Sequence, residues 1–131
     1  LSNLDHGAEI VKSITTLAQE NDIQMGVFSA IGALQNAELG YYDQDSHQYK
    51  IMQVNEPMEL VSCTGNISLR GEKAFLHPHA SLADFQGRLL GGHLQSGIIF
   101  AAEVYMQELK GHPLVRKFDL TTDLYLWSDA E

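Results

Sequence analysis

Hydrophobic residues recur at helical spacing once. Between Gly7 and Glu20, the side chains of Ile10, Ile14 and Leu17 fall on one face together with Val11 and Ala18, while Glu9, Lys12 and Gln19 fall elsewhere. That pattern predicts an amphipathic helix. Asp5 is placed to cap its start and Asn21-Asp22 to end it, since both residue types accept the backbone geometry of helix ends. After the helix the pattern changes to short apolar or alternating runs rich in β-branched and aromatic residues. These predict strands over 23–31, 37–42, 48–54 and 58–69, separated by Gly32, by Asp43-Gln44-Asp45-Ser46 and by Asn55-Glu56-Pro57. Further strands are expected over 73–80, 97–106, 114–119 and 124–127, the first entered through Arg70-Gly71-Glu72 and the second after a glycine-rich bend. Turns this short join antiparallel neighbours, because a parallel crossover needs a longer connection. The expected fold class is therefore α+β: a single domain, residues 1–131, in which a mostly antiparallel sheet packs with one main helix.

Composition narrows the function classes. Seventeen acidic residues against eight basic ones give a net charge of −9, and the Lys and Arg residues are scattered from Lys12 to Lys117. Affinity for duplex DNA comes mainly from neutralised phosphates, so direct nucleic-acid binding is not expected. No apolar run approaches the ~20 residues that span a bilayer, and no signal peptide is visible. The lone Cys63 has no internal disulfide partner, which fits a reducing compartment, and a cytoplasmic location is the default expectation. Cys63 sits in an apolar strand and reads as an inert buried thiol.

The chemistry-bearing residues are histidines. Leu76-His77-Pro78-His79-Ala80 puts two imidazoles two positions apart, hence on the same face of a strand, and Pro78 favours the extended reading. Gly91-Gly92-His93-Leu94 follows a turn-rich stretch containing Gly87, which can return His93 to the pair. Three neutral imidazoles hold a divalent ion such as zinc and leave its fourth position open. Asp84 and Glu103 are the candidate carboxylates for orienting an imidazole or moving a proton. A His-x-His pair on a strand also occurs as a plain polar face, and spacing alone leaves both readings open. His6, His47 and His112 read as surface residues. The strand over 97–106 is apolar on both faces, with Ile98, Phe100, Ala102 and Val104 against Ile99 and Ala101. One helix cannot cover that much apolar surface, so the excess is expected between subunits. The segment Ile31-Gly32-Ala33-Leu34 is expected there too, on no patterning argument of its own.

Several stretches together resemble the plant and prokaryote conserved domain. They are Ala30-Ile31-Gly32-Ala33, Leu39-Gly40-Tyr41-Tyr42-Asp43, Glu59-Leu60-Val61-Ser62, Gly65-Asn66-Ile67, the His77-Pro78-His79 and Gly91-Gly92-His93 motifs, and Ala101-Ala102-Glu103-Val104. The helix beginning near Gly7-Ala8-Glu9 also fits. The resemblance implies an α+β fold, a homotrimer, and a metal site on His77, His79 and His93 of the kind found in the prokaryotic variant. It also implies a strand before the first helix. The hydrophobic pattern places none there, so that strand is expected upstream of Leu1. Plant members carry AT-hooks ahead of this domain. No AT-hook is present here, and Glu56-Pro57-Met58 stands where the plant pattern has Gly-Arg-Phe. Two functional expectations follow: a trimer whose three-histidine metal binds a small ligand or activates water, or a non-catalytic oligomerisation and interaction module in which the metal only holds the loop over 81–92.

Overall fold

The helix forms where its apolar spacing places it, but it starts later than Asp5. In the computed structural model, which describes residues 1–128, α1 runs Ile10–Glu20 and buries Ile10, Ile14 and Ala18 one above another. Its cap is Glu9, whose carboxylate accepts from the backbone N–H groups of Val11 (3.0 Å) and Lys12 (2.7 Å). Asp5 instead accepts through its carbonyl from Ala8 N in the preceding turn. Glu9 wins because it is tied to the sheet: its carboxylate also accepts from Gly97 N, and its backbone bridges Ile98. The end is as expected. Asn21 is the C-cap, Asp22 adopts a left-handed conformation (φ 53°), and the bonds from Ile23 N to Ala18 O and from Asp22 N to Gln19 O close a Schellman motif.

The chain does not open at the helix. Ser2–Leu4 form a short strand, β1, paired antiparallel with the long strand that carries Ala102 to Val104. Three residues with one buried side chain show no readable alternation, so β1 is visible only through its partner.

Seven further strands follow. They are β2 (Gly26–Asp43), β3 (Gln48–Val54), β4 (Met58–Arg70), β5 (Lys73–Ala83), β6 (Leu89–Glu108), β7 (Val115–Asp119) and β8 (Leu124–Ser128). Two sequence-based boundaries disappear. Gly32 does not end a strand; it sits inside β2 at a bulge, where the register against β4 shifts between Ala30 and Gly32. Its φ is +149°, and a Cβ there would lie 2.1 Å from the Ala101 carbonyl oxygen. Gly91-Gly92 is not a bend either, because both residues are paired within β6. A Cβ on Gly92 would lie 2.7 Å from Gly40 O, so this glycine permits close strand approach.

The pairings close on themselves. β2 pairs with β6, β6 with β5, β5 with β4, and β4 with β2, all antiparallel. β3 extends the far end of β2, and the β7–β8 hairpin joins β4 through a single parallel bridge, Leu69 to Val115. The sheet therefore dominates the α+β fold. Inside the ring one continuous core gathers Leu34, Leu60, Ile67, Leu82, Leu94 and Ile99 beneath the helix residues Ile10 and Ile14. Ile99 is fully buried here and does not face outward. Bulges in β6 against β2 near Leu34 interrupt strict alternation, so Phe100 and Ala101 are both exposed while Ala102 and Val104 are buried. Cys63 is also buried, and loss of solvent pushes its thiol up to about 12. Among the described residues no helix is long and apolar enough to cross a membrane.

Gly32→Ala should destabilise the fold by roughly 2 kcal/mol or more, the size associated with strain at a special backbone conformation and a forced backbone shift. Chemical denaturation measures this directly, and a midpoint equal to the wild type would show that the bulge relaxes freely.

Candidate metal centre

The site is set by strand register. On β5 the even residues Leu76, Pro78, Ala80 and Leu82 are buried, which turns His77 and His79 to the outer face. Hairpin pairing then aligns His79 directly opposite His93. The return expected of a loose loop over 81–92 is made by a β-hairpin, with only 84–88 outside the strands. One nitrogen from each of His77, His79 and His93 lies within 4.8 Å of the others. The Nε2 atoms of His77 and His79 are 3.2 Å apart. Tetrahedral coordination at ~2.0–2.1 Å separates two nitrogen ligands by about 3.3 Å, so this pair already has the spacing of a metal edge.

A second observation tests the fit. Nδ1 of His93 is buried and has no hydrogen-bond partner, although buried polar atoms are ordinarily satisfied. A cation ligated by that nitrogen would supply the partner it lacks. Two of the imidazoles, His93 and His77, are also biased toward the neutral form that binds metal. His93 is lowered to about 4, first by burial and then by the charges of His77 and His79. His77 is lowered by burial, then by the Arg116 guanidinium and by His79. The three residues fit a divalent ion, and among the described residues they form the cluster able to hold one.

The candidate carboxylates lie elsewhere. Asp84 sits at the β5–β6 turn, where its Oδ1 accepts from the backbone of Gln86 and Arg88 and its Oδ2 from Arg88 Nε at 2.8 Å. Hydrogen bonds from Arg88, backbone first and then side chain, hold its carboxyl below the usual range. It lies just past the end of β5, five residues from His79 or about 16 Å at the strand rise, and Glu103 is ten residues along β6 from His93, about 33 Å. The structure brings neither to the imidazoles; their work is the hairpin turn and the outer face of β6. His47 pairs with Asp123 at 2.7 Å and His6 reaches the Phe100 carbonyl, both outside the cluster.

The residues that do surround the histidines carried no sequence signal. Tyr49 on β3 packs its ring 5.4 Å from that of His93. With His77, His93, Gln95, Arg116 and Leu124, it lines a cavity of about 320 Å³ between the sheet and the β7–β8 hairpin. Arg116 is almost fully buried and donates to Ser68 and Asn66 on the outer face of β4.

The Plants and Prokaryotes Conserved (PCC) domain matches residues 1–110. The chain belongs to this family. A metal-containing protein of Archaeoglobus fulgidus shares 39% identity and superposes with a TM-score of 0.94, over 98% of this chain and 91% of that one. A plant- and prokaryote-conserved protein of Pyrococcus horikoshii shares 33% identity with a TM-score of 0.93, over 99% and 90% of the two chains. A bifunctional GlmU protein of Synechococcus is 29% identical over 119 residues, 88% of this chain. This chain spans only 18% of that protein's length.

The pH dependence of the metal-free domain follows from His93. The unfolded chain takes up protons below 6.5 that the folded site refuses until about 4. Stability is therefore full above the unfolded value and is lost as pH falls through this window. The thermal midpoint of chelator-stripped protein should drop on acidification from 6.5 to 4, and less steeply in His93→Gln. Equal slopes would remove His93 as the cause.

Proposed function

We propose that this domain is a homotrimeric metal-dependent binder of a small molecule, with a zinc-like divalent ion on His77, His79 and His93. The observation that carries the reading is the convergence of three imidazoles, one with an unsatisfied buried nitrogen, beside an open cavity. Three neutral nitrogen ligands leave a coordination position for a ligand, and a bound divalent ion supplies Lewis acidity there. Around it, the chain's own groups set access: Tyr49 walls one side, and the β7–β8 hairpin shields the other. Neither Asp84 nor Glu103 supplies a proton-transfer group at this point, so the reading is a binding site first. The name of the Archaeoglobus relative, a metal-containing protein, supports it. Direct DNA binding is not part of the reading, because the net charge of −9 opposes phosphate contact.

Assembly has its own support. Val27 and Ile31 on β2 and Phe100 and Tyr105 on β6 are exposed, from 40% to 60%. They sit on strands paired with each other, and a patch of this kind calls for a partner. A ring of three uses one heterologous contact repeated until it closes.

Purified protein should contain one divalent ion per chain, and His79→Ala and His93→Ala should lose most of it. In the cobalt-substituted protein, added imidazole should shift the visible absorption bands. Unchanged bands would indicate a fourth protein ligand and favour the module whose metal is structural.

Sedimentation equilibrium should give about three times the 14.5 kDa chain mass. Ile31→Glu and Phe100→Glu should lower it, and a wild-type mass of one or two chains would rule the trimer out. Ile99 is unsuited to this test, since a charge at a fully buried core position disrupts the monomer itself.

A further inference from the structure

Arg116 is an anomaly in so acidic a chain. It is 7% exposed, yet every acceptor it meets is neutral. Its Nε donates to Ser68 Oγ at 2.8 Å, and its two terminal nitrogens donate to the Tyr125 carbonyl at 2.9 Å and to Asn66 Oδ1 at 2.8 Å. Aromatic rings enclose it, with Phe75 at 5.0 Å and Trp127 at 5.6 Å from the guanidinium carbon. No carboxylate among the described residues forms an ion pair with it. Asp123, the one acid on the same cavity wall, is engaged by His47. A second cation, Arg70, lines the cavity too, and its guanidinium lies 3.6 Å from the Tyr125 ring centre with no acidic partner among the described residues.

Buried charges in proteins are ordinarily paired, because an uncompensated one keeps its desolvation cost. Three of the five guanidinium N–H groups are used, which leaves one on each terminal nitrogen. One donor on each terminal nitrogen is the complement that a two-pronged carboxylate contact uses. A phosphate would leave more oxygens to satisfy, and no lysine lines this wall. Apart from Gln95, the remaining wall is apolar or aromatic, with Tyr49, Phe75, Tyr125, Leu124 and Leu126. A volume of about 320 Å³ is at the small end of ligand pockets.

We infer that this cavity binds a small organic carboxylate, its charged end on Arg116 and its planar or apolar body between the aromatic walls, directed toward His77 and His93. The inference deepens the metal-site reading and rests on it for the second anchor of the ligand. The anion contact itself needs only Arg116 and the cavity.

Benzoate is a suitable probe, with benzamide as its neutral match and phenyl phosphate as the alternative anion. Calorimetric titration of the metal-loaded wild type should show benzoate binding at least tenfold more tightly than either. Arg116→Lys keeps the charge but not the two-pronged donor, and should weaken benzoate at least tenfold while metal content stays at the wild-type level. Leu124→Trp fills the cavity from its half-buried rim and should abolish binding with the fold intact. It decides the matter if Arg116→Lys fails to fold. Benzoate binding no tighter than benzamide, weaker than phenyl phosphate, or unaffected by both substitutions would overturn the inference. Benzoate binding through Arg116 to protein that holds no metal would sink the metal reading and leave the anion site standing. Full metal loading with no benzoate binding would do the reverse.

Discussion

The antiparallel pairing of β5 with β6, only five residue pairs from His79–His93 to Ala83–Leu89, is the contact on which the rest of the molecule depends. It closes the ring of strands, since β2, β4 and their partners would otherwise end in open edges. It also fixes the site. Because side chains alternate along a strand, a slip of one residue in either strand would turn His93 or the His77/His79 pair into the core and expose Leu94 or Leu76 in exchange. The buried residues on the inner face thus select the register that gathers the imidazoles on the outer face. Asp84 stabilises the same hairpin from its turn, through three hydrogen bonds to the 86–88 segment.

The outer surface of the ring divides into two regions of different chemistry. Toward the β7–β8 hairpin it is polar and aromatic, with the histidines, Asn66, Ser68 and Arg116. Along the other end of β2 and β6 it carries the exposed apolar and aromatic side chains Ile31, Phe100 and Tyr105. The division follows from the long strands. β2 and β6 are 18 and 20 residues long, so each extends well past any one layer of core and presents different neighbours at its two ends. The burial of Arg116 among neutral acceptors belongs to the first region; the excess apolar surface belongs to the second.

Much of the fold was legible in the chain. The helical spacing of Ile10, Ile14 and Leu17, with Val11 and Ala18 beside them, locates the helix, the expected bounds 48–54 match β3 at both ends, and the single helix amid many strands gives the class. His77 and His79 were recognisable as a pair because their proximity is local, a property of alternation on one strand. Misplaced boundaries share a cause. Gly32 and Gly91-Gly92 look like breaks because glycine is punctuation on average, whereas here it admits a neighbouring backbone, Ala101 at one position and Gly40 at the other. Whether a missing Cβ serves a turn or a close approach depends on what lies opposite, and that is long-range information.

The sequence by itself determined the helix, the antiparallel strand class, the identity of three imidazoles and the charge that disfavours phosphate partners. Each of these is local or additive along the chain. Tertiary structure alone decided that Ile99 is core, that Asp84 and Glu103 are remote from the imidazoles, that Ser2–Leu4 is a strand, and that Tyr49 and Arg116 stand at the site. These facts depend on strand register and bulges, which bring together residues as far apart as Ser2 and Val104. A hydrophobic pattern specifies which face of a strand is buried, but not which other strand, at which offset, will lie beside it.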